Sequence, residues 1–228
     1  GIGESFLADI IQDWERELIL NGLKLAYLPS AGIVKLRITA FGKDEIELAS
    51  IIDSYIVKLN KLIPDYIYGF DKDKLEQVVG QLLIKNQLTL SLAESCTGGN
   101  VAHMITGVSG SSVYYKGSIV AYSNAVKTNF LKVNPELIEN YGAVSKEVVE
   151  QMALGANLQF DTDYSIATSG VAGPGGGTKE KPVGTVWIAI AHNDSVFSKK
   201  LTLGDNRERN ILISSLSALN MLRLMLLN

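Results

Sequence analysis

The stretch LTLSLAESCTGGN, residues 88–100, decides how the chain is read. An apolar alternating run stops at a carboxylate, Glu94. Three consecutive side chains able to attack an electrophile follow, Ser95, Cys96 and Thr97, and then Gly98 and Gly99. A run of this kind ending in small polar residues and glycine is the pattern of a strand turning into a helix, here expected over 97–106. Such a turn aims backbone N–H groups outward, where an anion or a developing oxyanion is stabilised. The glycines let the backbone approach a ligand closely. The same residues admit a plainer role, since either Ser95 or Thr97 suits a helix cap.

Outward from this turn, strands and helices alternate. KDKLEQVVGQLLIKNQ (72–87) places Leu75, Val78, Val79, Leu82 and Leu83 on one helix face. KGSIVAYSN (116–124), DYSIATSG (163–170), VGTVWIAIAH (183–192) and SVFSKKLTL (195–203) read as strands. AVKTNFL and PELIENYG are short helical pieces, the second with Pro135 in its first turn. Ser145 is placed to cap a helix over 146–160, and a last helix is expected over 206–227. The alternation predicts a layered α/β domain with a largely buried sheet over 71–228.

Residues 1–70 read as a separate small α+β unit. Phe6, Leu7, Ile10, Ile11, Trp14 and Leu18 hold helical spacing. LKLAYLP and IVKLRITAFG flank a short SAG loop, as in a hairpin, and Asp44 is placed to cap a helix over 45–63. DYIYGF (65–70) is expected to add a third strand, giving an α-β-β-α-β order of KH or ferredoxin-like type.

Composition narrows the classes. Of 228 residues 46 % are hydrophobic, enough for a sizeable core, and the net charge of −3 points to no nucleic-acid or anionic-membrane partner. A single cysteine, Cys96, excludes an internal disulfide and fits a reducing, cytoplasmic compartment. No apolar run approaches the ~18 residues of a membrane span. The opening GIGES lacks an initiating Met and reads as a processed start, a tag remnant or the middle of a longer protein.

Ligands of open α/β sheets bind beyond the carboxyl ends of the strands. Three such ends are rich in small and polar residues: AESCTGG, AYSNAVK and ATSGVAGPGGG. Parallel neighbouring strands would bring the three to one crevice. A Ser–His–Asp triad needs a suitably placed histidine, but His103 lies inside the helix after Ser95 and His192 ends a strand beside Asn193 and Asp194. Two histidines without a cysteine cluster predict no metal site, and no cofactor is expected. Lysine is the other candidate base, provided that burial lowers its pKa. Lys127 sits among Ala121, Tyr122, Ala125, Val126 and Phe130; the alternative is a solvated helix lysine. Cys96 competes with Ser95 as nucleophile, but adjacent residues face opposite ways, and a small cysteine commonly packs inward. Glycines 170, 173, 175, 176 and 177 match neither a dinucleotide fingerprint nor a P-loop. They form either a phosphate-binding nest or a mobile surface loop. Arg207 and Arg209 either clamp a phosphate or carboxylate or are solvated.

LAESCTGG, GVSGSS, GSIVAYSNAVKTNFLKV, YGAVS and SGVAGPGGGTKEKPVGTVWIA, in that order, resemble the CinA C-terminal domain family over about 73–227. That family includes nicotinamide-mononucleotide deamidases. Residues 1 to about 70 are similar to the middle KH-type domain of full-length CinA proteins. These carry a further N-terminal domain, similar to molybdopterin-binding folds and linked to ADP-ribose pyrophosphatase activity. The sequence is therefore expected to be a two-domain piece of a competence/damage-inducible CinA protein. The resemblance implies an amidohydrolase converting nicotinamide mononucleotide and water to nicotinic acid mononucleotide and ammonia, without metal or cofactor, in a homodimer. It implies a Ser95–Lys127 dyad helped by Tyr122. It further implies substrate contacts from Glu94, Thr97, Gly98, Gly99, Ser169, Gly170, Gly173, Gly175, Gly176, Arg207 and Arg209. Ser169 stands where the family usually has Thr, and the usual R-x-x-x-R before the last helix reads RER here, with Ile211 at the later position. The alternative is a nucleotide-binding or regulatory module without catalysis. Residues 1–70, with 7 Lys/Arg against 10 Asp/Glu and no G-x-x-G, lack what a KH domain uses to hold nucleic acid.

Overall fold

Helix α1 (Glu4–Leu20) opens the chain in a computed structural model that describes residues 2–227. It belongs to the first of two compact units, the chain passing from one to the other between Tyr68 and Gly69. β1 (Lys24–Ser30) and β2 (Ile33–Thr39) form an antiparallel hairpin whose tight turn places Gly32 at φ +79°. α2 (Glu45–Leu62) is capped by the Asp44 carboxylate, which accepts from the Ile46 and Glu47 N–H groups. Leu7, Ile11, Trp14 and Leu18 of α1 pack with Tyr55, Leu59 and Ile63, and one face of the hairpin covers them. Phe6 and Ile10, of the same apolar series, stay exposed.

The expected third strand at 65–70 does not form. Tyr66 N–H turns back to the Ile63 carbonyl, and Phe70 N–H donates to Asp73 Oδ2 at 2.9 Å. An aspartate side chain thus takes the bond that a strand partner would have taken, and the segment becomes the turn into α3.

The second unit contains α3 (Leu75–Lys85), β3 (Leu90–Glu94), α4 (Asn100–Thr106), β4 (Tyr115–Val120), α5 (Asn124–Leu131), α6 (Pro135–Tyr141), α7 (Lys146–Phe160), β5 (Tyr164–Gly170), β6 (Thr185–His192), β7 (Ser195–Thr202) and α8 (Arg207–Leu227). The sheet order is β4-β3-β5-β6-β7. β4, β3 and β5 are parallel neighbours, while β6 and β7 add antiparallel. β3 and β5 are buried almost throughout. On one face α7 packs Val148, Val149, Met152, Ala153 and Ala156 against the alanines of the sheet. Gly155 is required at the α5–α7 crossing, since a Cβ there would lie 2.0 Å from the Leu131 carbonyl oxygen. α8 has the length and apolar content to cross a membrane, but it packs against α3, α4, β5 and β6 as a core helix does.

Candidate active site

The parallel register fixes the site. Glu94 ends β3 opposite Val120 of β4 and Thr168 of β5. The chain then leaves the sheet still tied to both neighbours: Ala121 N–H donates to the Glu94 carbonyl at 2.7 Å, and Ser95 N–H to the Thr168 carbonyl at 3.0 Å. The carboxyl ends of three strands therefore meet at Ser95.

Gly98 and Gly99 carry the turn at φ +62° and +97°, so α4 begins at Asn100, three residues later than expected. Neither Ser95 nor Thr97 caps it. That role falls to Glu94, which is 1 % exposed and accepts from Gly99 N (3.0 Å), Val101 N (3.1 Å), Ala102 N (2.8 Å) and Thr97 Oγ1 (2.7 Å). Thr97 is buried too, and its hydroxyl also pairs with Thr168 Oγ1 at 2.7 Å. Glu94 and Thr97, expected to touch the ligand, have their side chains turned inward instead. Four donors satisfy a carboxylate that burial alone would make costly. Glu94→Ala is therefore expected to cost about 3 kcal/mol or more, because several buried donors lose their acceptor at once. Glu94→Gln keeps one oxygen and should cost less. Urea unfolding at pH 7 measures both, and a loss below about 1 kcal/mol for the alanine variant would contradict this role.

Ser95 is partly exposed. Lys127, one turn into α5, is 1 % exposed, and its Nζ lies 3.2 Å from Ser95 Oγ and 2.8 Å from the Ala121 carbonyl oxygen. Desolvation pushes the lysine pKa below its usual 10.5. As an ammonium, Nζ donates to both oxygens. As a neutral amine it keeps one N–H on the carbonyl and turns its lone pair to the serine proton. Cys96 is 8 % exposed, and burial pushes its thiol up to about 12. It is therefore a neutral packing residue at physiological pH. Of the backbone N–H groups from Ser95 to Ala102, those of Cys96 and Thr97 have no backbone or side-chain hydrogen-bond acceptor among the described residues.

The remaining expected residues fall elsewhere. Tyr122 is 70 % exposed, and its hydroxyl has no hydrogen bond to Ser95 or Lys127. Ser169 is buried and donates to the Ala143 carbonyl at 2.7 Å, so its hydroxyl fixes the α6–α7 turn rather than facing a ligand. Gly170 is packed, since a Cβ there would sit 2.7 Å from Val186 Cγ2. Gly173 takes φ +93° and precedes a cis proline, Pro174, while Gly175 and Gly176 are exposed. Arg207 Nη1 donates to the Gly173 carbonyl at 2.9 Å, and the Arg209 side chain is exposed. His103 is exposed on α4, and His192 stacks on Tyr164 at 4.1 Å at the far end of β5. Among the described residues no group of three or more His, Cys, Asp or Glu is placed to hold a metal ion. Two surface cavities of about 230 and 270 Å³, one in each unit, are not lined by Ser95 or Lys127.

Sequence reasoning missed Thr168, the Ala121 carbonyl and Asn210. The first two are visible only once the register is known. Asn210 is 1 % exposed and holds the Ala172 and Gly204 carbonyls through Nδ2 at 3.0 and 2.8 Å. A lone asparagine in a helix carries no signal of that kind.

Known proteins resemble the chain along its length. Residues 72–226 match the model of the CinA C-terminal domain, and residues 1–69 that of the damage-inducible protein CinA KH domain. A CinA-like protein of Cytophaga hutchinsonii is 49 % identical over 98 % of the chain and 53 % of its own length. One of Flavobacterium psychrophilum is 48 % identical over 92 % and 50 %. The chain thus spans about half the length of these relatives. Among solved structures, the competence/damage inducible protein CihA of Agrobacterium tumefaciens is 34 % identical with a TM-score of 0.64, covering 70 % of this chain and 99 % of its own. The competence damage-inducible protein A (ComA) of Klebsiella pneumoniae is 32 % identical with a TM-score of 0.66, covering 68 % and 96 %. With a buried lysine beside a strand-end serine in the second unit and a KH-type unit before it, the chain belongs to the CinA family.

Proposed function

We propose that the second unit is an amidohydrolase that deamidates nicotinamide mononucleotide through Ser95 and Lys127. The observation that carries this reading is the 3.2 Å approach of a fully buried amine to a partly exposed serine hydroxyl. A desolvated lysine is a base strong enough to take a serine proton, and the strand-end position is where α/β folds bind ligands.

Lys127 takes the Oγ proton while Oγ bonds to the carboxamide carbon. The unpaired Cys96 and Thr97 N–H groups are the candidate backbone donors for the oxyanion, each contact typically worth ~3 kcal/mol. The C–N bond breaks as Lys127 returns the proton to nitrogen, and ammonia leaves. Water then attacks the acyl-serine, Lys127 takes its proton and passes it back to Oγ, and nicotinic acid mononucleotide is released. The Gly-rich loop and Arg207 provide the anion-binding end for the phosphate. In this reading the exposed Tyr122 acts as a ligand contact rather than as a partner of the base.

Ammonia release from nicotinamide mononucleotide tests the reading. Wild type and Cys96→Ala are both expected to turn over at comparable rates, because a neutral buried thiol has no part in the chemistry. Loss of activity in Cys96→Ala with retention in Ser95→Ala would move the nucleophile. A wild type that binds the nucleotide without releasing ammonia would favour a binding or regulatory module.

A further inference from the structure

We infer that Asn210 is a positioning residue that sets the polarity of the Gly-rich loop, turning its carbonyl oxygens inward and its N–H groups toward a phosphate. The inference rests on the amidase reading for its substrate but on separate geometry for the residue. Asn210 lies in the first turn of α8 and is 1 % exposed. Both Nδ2 hydrogens are committed, one to the Ala172 carbonyl at 3.0 Å and one to the Gly204 carbonyl at 2.8 Å. Three residues before it, Arg207 holds the next carbonyl of the loop, that of Gly173, at 2.9 Å. Two successive loop carbonyls are thus drawn onto the start of α8.

The electrostatic consequence follows from the planar trans peptide. A carbonyl pointing one way forces the N–H of the next residue the other way. With the Ala172 oxygen held by Asn210, the Gly173 N–H faces away from α8. The N–H groups of Gly173, Gly175, Gly176 and Gly177 have no acceptor among the described residues, and Pro174 has none to offer. A run of unpaired N–H groups behind two carbonyls tied back, those of Ala172 and Gly173, is an anion-accepting concavity. If the 172–173 peptide flipped, the same loop would present oxygens to an incoming phosphate and repel it. Gly173 also lacks room for a side chain, since a Cβ would meet Val183 Cγ1 at 2.5 Å and the Asp205 carbonyl oxygen at 3.0 Å. The loop start is therefore wedged between Val183 and the residues leading into α8, and Asn210 fixes the remaining freedom.

The test compares wild type, Asn210→Ala and Asn210→Asp on nicotinamide mononucleotide and on nicotinamide riboside, which has the same carboxamide and no phosphate. Asn210→Ala is expected to raise KM for the mononucleotide at least 10-fold, with kcat within about 3-fold. The riboside KM and the acid limb of the pH profile should not move. Asn210→Asp removes both donors without changing shape and should raise KM further. Equal losses on both substrates, or a fall in kcat alone, would overturn the inference. Hydrogen–deuterium exchange over residues 171–184 gives a readout independent of turnover. Faster exchange in Asn210→Ala is expected, and unchanged exchange overturns the positioning role. A wild type without amidase activity would end the functional reading, yet the exchange result would still decide the role of Asn210. Should the Asn210 variants fail to fold, Arg207→Gln removes the bond to the Gly173 carbonyl, and its effect is read by exchange alone, because Arg207 is also a proposed phosphate contact. It should then show the faster exchange over residues 171–184 at smaller size, and unchanged exchange counts against the inference.

Discussion

Ser95→Ala should lower kcat for ammonia release by about 10³-fold or more, the scale seen when a hydroxyl nucleophile is removed from a nucleophile–base pair. The reason is local. The alanine variant leaves Lys127 with its Ala121 carbonyl contact intact, but there is no other oxygen for the amine to activate at that position. Cys96 offers no substitute, because its sulfur is buried and its proton is held to about pH 12. Thr97 offers none either, because its hydroxyl is engaged with Glu94 and Thr168. KM should stay within a few-fold, since the proposed phosphate contacts, the Gly-rich loop and Arg207, do not involve Ser95. Stability should change by no more than ~1 kcal/mol, the net value of one hydrogen bond at a partly exposed site. Steady-state kinetics with urea unfolding of the same samples separates the two effects. Residual turnover above about a tenth of wild type, in a variant that is still folded, would place the nucleophile elsewhere.

What sequence alone carried about this site was its position, not its wiring. Alternating apolar strands and periodic helices led to a layered α/β unit, and glycine-rich strand ends led to the crevice. The parallel, adjacent arrangement of β4, β3 and β5 is the condition under which those ends converge, and the structure has it. The antiparallel direction of β6 and β7 was not legible, because a buried apolar strand reads the same in either direction. The strand at 65–70 failed for a different reason: aromatic and apolar residues there suit a strand, but Asp73 caps the Phe70 N–H and Gly69 closes a turn. Glu94, expected as a substrate contact, instead holds the start of α4. Its four internal donors depend on where α4 begins, and that is set by two positive-φ glycines rather than by periodicity. Lys127 was legible as a candidate from its apolar neighbours, whereas its partners, one hydroxyl and one carbonyl from two other strand ends, needed the sheet register.

Lys127→Met is expected to abolish the base and change the pH dependence of stability in opposite senses for function and fold. Loss of a general base costs typically 10²–10⁴-fold in rate, and the wild-type kcat/KM should show an acid limb at the lowered pKa of this amine, below 10.5. The stability effect follows from the same burial. Between the lowered folded pKa and the 10.5 of an exposed lysine, the unfolded chain carries a proton on Lys127 that the native chain does not. Unfolding therefore takes up a proton, and native stability rises with pH through that window by up to about 1.4 kcal/mol per unit. Below the folded pKa both states are protonated and the deficit is constant; above 10.5 both are neutral and it vanishes. Methionine has no such proton, so the stability of Lys127→Met relative to wild type should be most favourable at the acid end and decline as pH rises toward 10.5. An offset of ~1–3 kcal/mol from the unpaired Ala121 carbonyl shifts the whole difference without altering its slope. Urea unfolding of both proteins between pH 7 and 10 reads that slope directly. Parallel curves across the range would mean that the buried amine keeps its proton in the native state, and a permanently charged Lys127 cannot deprotonate Ser95.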